Sequence, residues 1–471
     1  MKLNQLRQKH SRFIYKSYHY QYKKNQLTIE FEFKLLPDIE FHPKLIIDHL
    51  PEENWTNLSQ NLKDTLIFNL GLAEIPSYWK AACSSEIEIQ PHQLSYSQQN
   101  WWKKLLIKGL GEFYFQNQID FTREDLVSFI HDKKAKPLTK LEPIESNYEN
   151  EFLLPIGGGK DSSLLLALLE EKGLDYGCLL LGPQSPAAQE IAQISSCQET
   201  IKVKRTIDPQ LLKLNKQGYL NGHTPFSAYL SFLSTFIAHL FNYQKILVGN
   251  ERSANQPNLK YLGQGINHQY SKSFTYEQDF REYADRYLGA SSAATNHPAQ
   301  AEYLSALRPL YELQIAKLFS KFDRYHSIFK SCNVGQKENK WCHHCPKCLF
   351  VFTLLYPFVD QETLTSSVFS HNLFEVQDLS ETALALTGQT DKKPFECVGT
   401  FEETQVAFYL SVQKYQQQNL ELPPVLATIK QELLDQYSEQ YWQEQTQQIL
   451  LAWGKEHNLD DKLKTIIKDK L

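Results

Sequence analysis

The stretch Phe152–Leu165, FLLPIGGGKDSSLL, runs an apolar segment into three consecutive glycines and out into a second apolar segment. That is the pattern of a strand, a turn and a helix in an α/β sheet. Glycines let the turn curl so that several backbone N–H groups converge on one anion. The following helix aims its positive end at the same point. The turn is not a Walker A loop, since Leu154 stands where that motif needs its first glycine and Asp161 follows Lys160. It is not a dinucleotide fingerprint either, because Ser162 takes the third glycine's place. Ser162 adds a hydroxyl donor and Lys160 adds charge. Asp161 would repel a bare phosphate but suits a Mg²⁺ ion bridging a triphosphate. The competing reading is a plain strand-to-helix turn with Asp161 as N-cap.

The flanking sequence repeats the alternation. Strands are expected at Tyr176–Leu181, Glu199–Arg205 and Lys245–Val248. Helices are expected at Ser162–Lys172, Pro186–Ser195, Pro209–Gln217 and Pro225–Phe241. This implies an α/β fold with a parallel, doubly wound sheet, whose ligands bind at the carboxyl ends of the strands. Both GGGKDS and GNERSAN fall on that rim. Residues 1–145 read as an N-terminal α+β domain. It has strands at Gln26–Leu36 and Ile39–Ile47, and helices at Asn57–Leu70, Pro76–Ala82 and Asn100–Phe115. Lys133–Pro143 reads as a linker. Residues 146–360 form the sheet domain with a cysteine cluster, and 361–471 a mainly helical region. That region carries helices at Glu403–Gln417 and Val425–Trp453 and a solvated helical tail, DDKLKTIIKDKL.

A net charge of −5 argues against general nucleic-acid binding. No run of 18 apolar residues exists, so no membrane insertion is expected. The basic start MKLNQLRQKHSRF has no apolar segment after it and does not read as a secretory signal. Eight cysteines in 471 residues are too sparse for a disulfide scaffold, so the expected compartment is the cytoplasm.

Four of those cysteines, Cys332, Cys342, Cys345 and Cys348, are spaced C-x9-C-x2-C-x2-C. Two short spacings put three thiolates on one knuckle and the fourth closes a tetrahedron, which suits structural Zn²⁺. The competing readings are reduced thiols or a redox pair, and His343 and His344 are rival ligands. Three further stretches are dense in polar chemistry: LNGHTPFSA with Asn221 and His223, VGNERSANQPN with Asn250, Glu251, Arg252, Ser253 and Asn255, and NHQYSKSFTYEQDFREY with His268, Lys272 and Ser273. Taken singly, each residue reads as surface or structure; three such stretches beside a phosphate turn favour a site.

The strand, GGGKDS and helix resemble the S-G-G-x-D-S signature of the PP-loop ATP pyrophosphatases, with Gly157 in place of the first Ser. The cysteine cluster is similar to that of the 7-cyano-7-deazaguanine synthases, themselves PP-loop enzymes. The set GGGKDS, NGHTP, NERSAN, HQYSKS, RPLYELQIAKLF, CPKCLF and KPFECVGT, with GLAEIPSYWKA and GLGEFYFQNQIDF before it, resembles the MurL-type UDP-N-acetylmuramoyl-L-alanyl-L-glutamate epimerases from about Gly71 to Thr400. The last 70 residues carry no matching motif.

The resemblance implies a cytoplasmic enzyme of peptidoglycan-precursor synthesis. It would adenylate the terminal L-glutamate with ATP, invert its α-carbon to D-glutamate, and release AMP and pyrophosphate. On that reading Gly157, Gly158, Gly159 and Ser162 hold pyrophosphate, Asp161 helps hold Mg²⁺, and Lys160 or Arg252 neutralises the leaving group. The base lies among His223, Glu251, His268 and Lys272, with His268 and Lys272 favoured. The alternatives are a 7-cyano-7-deazaguanine synthase-like enzyme, an amide ligase, or a non-catalytic nucleotide-binding module.

Overall fold

The computed structural model describes residues 3–132, 134–139, 141, 148–182, 185–289, 301–335, 338–390 and 393–471. Eleven of the described strands form one sheet. In chain order they are β1 (Arg12–Lys23), β2 (Gln26–Leu35), β3 (Ile39–Phe41), β4 (Lys44–Ile47), β5 (Glu86–Ile89), β6 (Ser128–His131), β7 (Asn150–Pro155), β8 (Tyr176–Gly182), β9 (Glu199–Thr206), β10 (Tyr243–Val248) and β11 (Glu302–Ser305). The helices that frame the sheet and the site are α1 (Gln60–Trp79), α2 (Tyr96–Gly109), α3 (Gly111–Gln116), α4 (Lys160–Glu171), α5 (Pro186–Ile194), α6 (Phe226–Leu240), α7 (Phe274–Tyr287), α8 (Glu312–Phe319), α9 (Pro346–Leu355), α10 (Phe401–Gln417), α11 (Pro424–Glu432) and α12 (Glu439–Leu450).

The strand order is β11-β10-β7-β8-β9-β4-β2-β1-β5-β6, with β3 on β2. The five strands from β11 to β9 are mutually parallel. The chain lays down β7, β8 and β9 in one direction, then returns to the other side of β7 with β10 and β11. Such a reversal opens a crevice at the carboxyl ends of its two central strands, here β7 and β10. The N-terminal strands extend the same sheet through an antiparallel β9–β4 pairing, Val203 opposite Ile47.

Alternation along each strand supplies two cores. Leu153, Leu179 and Ile246 face α1, α6 and α7. Phe152, Leu154, Cys178 and Leu247 face α4, α5, α8, α9 and the C-terminal helices. No described helix is long and apolar enough to cross a membrane.

Several element boundaries differ from the sequence reading. Asn57–Leu70 and Pro76–Ala82 merge into α1, a buried helix that carries Pro76 inside it. Tertiary packing on both sides outweighs the helix-breaking tendency of proline here. The expected 425–453 helix breaks into α11 and α12, because Ser438 caps a new start by accepting from the Tyr441 amide at 3.2 Å. The solvated tail is an amphipathic helix, Asp461–Lys468, that buries Leu463, Ile466 and Ile467. In the Lys133–Pro143 stretch, residues 133, 140, 142 and 143 lie outside the described residues; Lys136–Pro137 pairs with His92–Gln93.

Gly158 and Gly157 test the turn. Gly158 has φ +88°, and a Cβ there would meet the Ala188 amide nitrogen at 2.9 Å; a Cβ on Gly157 meets nothing within 4 Å. Gly158→Ala is expected to destabilise the protein by roughly 1–3 kcal/mol and Gly157→Ala by less than about 0.5 kcal/mol, read by thermal unfolding. Equal losses at the two positions would contradict this geometry.

Candidate active site

The glycine turn leaves β7 at the reversal point and enters α4. The helix starts at Lys160, earlier than its apolar pattern indicates, with Gly159 as N-cap and no side-chain cap. Asp161 therefore sits in the first turn and does not act as N-cap. The first amides of a helix have no intrahelical acceptor, and no side chain caps this end of α4, so it carries the partial positive charge that attracts anions. Ser162 Oγ folds back to the Gly159 carbonyl at 3.1 Å, and the Gly158 carbonyl accepts from the Lys330 amide at 2.8 Å.

Carboxylates from three segments converge beside this terminus. Asp161, Glu251 and Glu312 each place an oxygen within 4.8 Å of the others. The close approach depends on Gly249, where a Cβ would lie 2.8 Å from the Asp161 Cβ. Lys160 is turned into this cluster, paired with both Glu312 and Asp161. Burial lowers the Lys160 pKa, but the Asp161 and Glu312 carboxylates outweigh it and hold the ammonium protonated. Lys347 reaches Glu312 at 3.9 Å. Arg252, the other expected leaving-group cation, stacks on the Tyr311 ring at 4.5 Å to the centroid.

A second cluster adjoins the first. Glu112 on α3 bonds His268 Nδ1 and lies 3.5 Å from His223 Nδ1 through the same oxygen. The two imidazole rings are 4.5 Å apart, and the His268 amide donates to Asn258 Oδ1 at 2.9 Å. Lys272 Nζ donates to Cys397 Sγ at 3.4 Å, and the charge of His268 bears on the same thiol.

These contacts push the titrations apart. Burial, then His268, Lys80 and Lys272, lowers His223 to about 3. Burial also opposes the His268 charge, but Cys397 and Glu112 raise it to about 9. Burial raises the Cys397 thiol, while Lys272 and His268 bring it down to about 7. Lys272 is raised first by Cys397, and also by Glu251 and Asp161, so it links the two clusters electrostatically.

The rim also holds an apolar cleft of about 890 Å³, lined by Ile156, Gly157, Leu181, Gly182, Lys204 and Phe226 among others. It opens beside the glycine turn, across the ends of β7, β8 and β9.

The structure thus brings together Asp161 with Glu251, and His223 with His268 and Lys272. Glu112, Arg308, Glu312, Lys347 and Cys397 were missed. All lie within the motif stretches quoted above, and the available signal was a charged or thiol residue set in an apolar run, as in GLGEFYF, RPLYELQIAKLF and KPFECVGT. Arg308 is buried and donates to the Glu251 carbonyl at 2.6 Å and to the Lys272 carbonyl.

The cysteine cluster lies in the core beyond Lys347. The sulfurs of Cys332, Cys342, Cys345 and Cys348 gather within 4.8 Å of one another. Cys342 and Cys348 are 3.7 Å apart, and Cys345 and Cys348 are 3.5 Å apart. Four sulfurs at about 2.3 Å from one ion would be spaced by roughly 3.8 Å. Cys332 Sγ accepts from the amides of Gly335 and Cys342. His344 bonds the Cys342 carbonyl and His343 bonds Ser370.

The MurL N-terminal domain matches residues 4–294 and the MurL C-terminal domain matches residues 326–446. A UDP-N-acetyl-alpha-D-muramoyl-L-alanyl-L-glutamate epimerase of a Micromonospora species is 34% identical over 363 residues, 75% of each chain. Proteins of the same name are 32% identical in Xanthomonas oryzae pv. oryzae, over 70% of this chain and 71% of the relative, and in Salinispora tropica, over 71% and 70%. No solved structure matches. Two domain matches that together span most of the chain, and relatives above 30% identity over two thirds of their length, show that this chain belongs to the MurL family.

Proposed function

We propose that this protein is an ATP-dependent epimerase that converts the terminal L-glutamate of UDP-N-acetylmuramoyl-L-alanyl-L-glutamate to D-glutamate. The observation that carries the reading is the contact between two sites. A phosphate turn with carboxylates adjoins a cluster of proton-transferring groups, and Lys272 joins them. The relatives' names supply the substrate. The reaction would take place in the cytoplasm, where ATP and nucleotide-linked precursors are found.

The α-proton beside a free carboxylate is very weakly acidic, because its removal would create a second negative charge. Adenylation removes the first charge and turns the carbonyl into an electron sink. The strand order and glycine turn support a PP-loop-type core for that step. The apolar cleft accepts the adenosine, and the amides of Gly157–Gly159 with the α4 terminus hold the pyrophosphate. Asp161, Glu251 and Glu312 form an oxygen set that fits Mg²⁺, which would screen the triphosphate charge there. Arg252, half-buried against Tyr311, is the cation left for that role; Lys160 instead holds the carboxylates in place.

Proton transfer falls to the histidine pair. Neighbouring groups whose titrations are pushed apart make an acid and a base. Near neutral pH His223 is neutral and able to accept a proton, while His268 is charged and able to donate one. Lys272 keeps its proton and stabilises charge on the carbonyl oxygen. Glu251 is better placed as a metal ligand than as the base.

The four thiols fit a structural Zn²⁺ with no open position. It would pin the segment leading into α9, and with it Lys347, against the carboxylates.

Asp161→Asn is expected to abolish substrate-dependent pyrophosphate release; unchanged release would refute the adenylating reading. Release with unrelated carboxylates would instead support a ligase, and no release from wild type a binding module. Solvent deuterium should enter the glutamate α-carbon in wild type and fall by roughly 100-fold or more in His223→Gln and His268→Gln. Undiminished exchange in both variants would remove the pair from the mechanism. Elemental analysis should find one zinc per chain, lost in Cys345→Ser together with several degrees of melting temperature. Metal-free wild type with unchanged stability would exclude the ion.

A further inference from the structure

We infer that Cys397 is the acyl acceptor of this site: its thiolate takes the glutamyl group from the adenylate and carries it as a thioester while the α-carbon is inverted. The inference rests on the adenylating reading above and deepens it.

Three contacts carry it. His268 bonds Glu112 through Nδ1 and is electrostatically coupled to the Cys397 thiol, so a carboxylate orients an imidazole beside a sulfur. That ordered chain of acid, histidine and thiol is how a cysteine nucleophile is activated. Lys272 Nζ, 3.4 Å from the same sulfur, supplies a second cation. Lys347 donates to the Cys397 carbonyl and lies 3.9 Å from Glu312, so the residue is tied by its own backbone to the carboxylates beside the phosphate turn. The sulfur therefore lies between the place where the carbonyl is activated and the groups that move the proton. The residue as a whole is half-buried. Cys83 makes the contrast: fully enclosed, its thiol is pushed up by burial, as a structural cysteine is.

The steps balance. The thiolate attacks the acyl carbon, an S–C bond forms, and the C–O bond to AMP breaks with its electron pair leaving on AMP. Sulfur donates little electron density to the carbonyl, so the α-proton of the thioester stays acidic. Neutral His223 takes that proton, and the electron pair moves to the carbonyl oxygen beside Lys272. The His268 imidazolium protonates the α-carbon on the opposite face. Both rings touch one Glu112 oxygen, which offers a path for the proton to return from His223 to His268. Water then hydrolyses the thioester, so the net consumption is ATP and water to AMP and pyrophosphate.

The test uses the full-length wild type with Mg²⁺, ATP and UDP-N-acetylmuramoyl-L-alanyl-L-glutamate, quenched in acid during turnover. Mass spectrometry should show the substrate mass less one water on the peptide that holds Cys397, released by neutral hydroxylamine. Cys397→Ala should keep first-turnover pyrophosphate release while D-glutamate formation falls roughly 100-fold or more. An unmodified Cys397 during continuing wild-type turnover overturns the inference, as does D-glutamate formation by the alanine variant at the wild-type rate. The wild-type measurement stands even if the variant fails to fold. Wild type that releases no pyrophosphate with this substrate would instead bring down the adenylating reading itself.

Discussion

One buried guanidinium holds the site together. Arg308 is 1% exposed and follows β11 at the sheet edge. It donates to the Glu251 carbonyl from one nitrogen and to the Lys272 carbonyl and Ser305 Oγ from another, with Glu277 at 3.6 Å. The segment after β10 and the segment bearing His268 and Lys272 are thereby clamped to the end of β11. Burial lowers the Arg308 pKa, and Glu277 and Glu251 oppose that shift. Losing such a cation would strand carbonyls and a carboxylate in the interior, which costs far more than the net value of the pair.

The same logic repeats at Lys160. An ammonium buried at the start of α4 is tolerable because Glu312 and Asp161 meet it. In return it lets carboxylates crowd together beside a terminus that attracts anions. The carboxylate set is therefore a preorganised feature, arranged before any ligand arrives. Farther along, Glu112 performs the equivalent service for the two histidines. The site is a row of alternating charges running from α4, which packs in one core, to α3, which packs in the other.

Much of this was legible in the chain. The glycine turn, the alternating strands and the cysteine spacing are local patterns whose physics acts over a few residues. Asp161 stood out because a carboxylate is out of place in a bare phosphate cup, and Glu251, His223 and His268 only because three polar-dense stretches accompany that turn. The boundaries were less legible. Pro76 reads as a break and is absorbed inside α1. Lys160 reads as a phosphate ligand and turns inward to Glu312, a residue 152 positions away. Lys393 and Glu403 are likewise buried near the site, for reasons visible only in three dimensions.

By itself, then, the sequence determined a parallel α/β rim bearing a glycine turn and a four-thiol knuckle, because hydrophobic period, glycine and cysteine spacing are short-range properties. Only the tertiary structure decided that Glu112, His268, Lys272 and Cys397 share one chain of contacts, and that this chain abuts the carboxylates. Those residues come from segments more than 100 positions apart, and their charge states follow from burial and from each other. Neither pairing nor burial is encoded in the spacing of any one segment. The glycine turn is a product of one short stretch; the charged groups beside it were assembled by the fold.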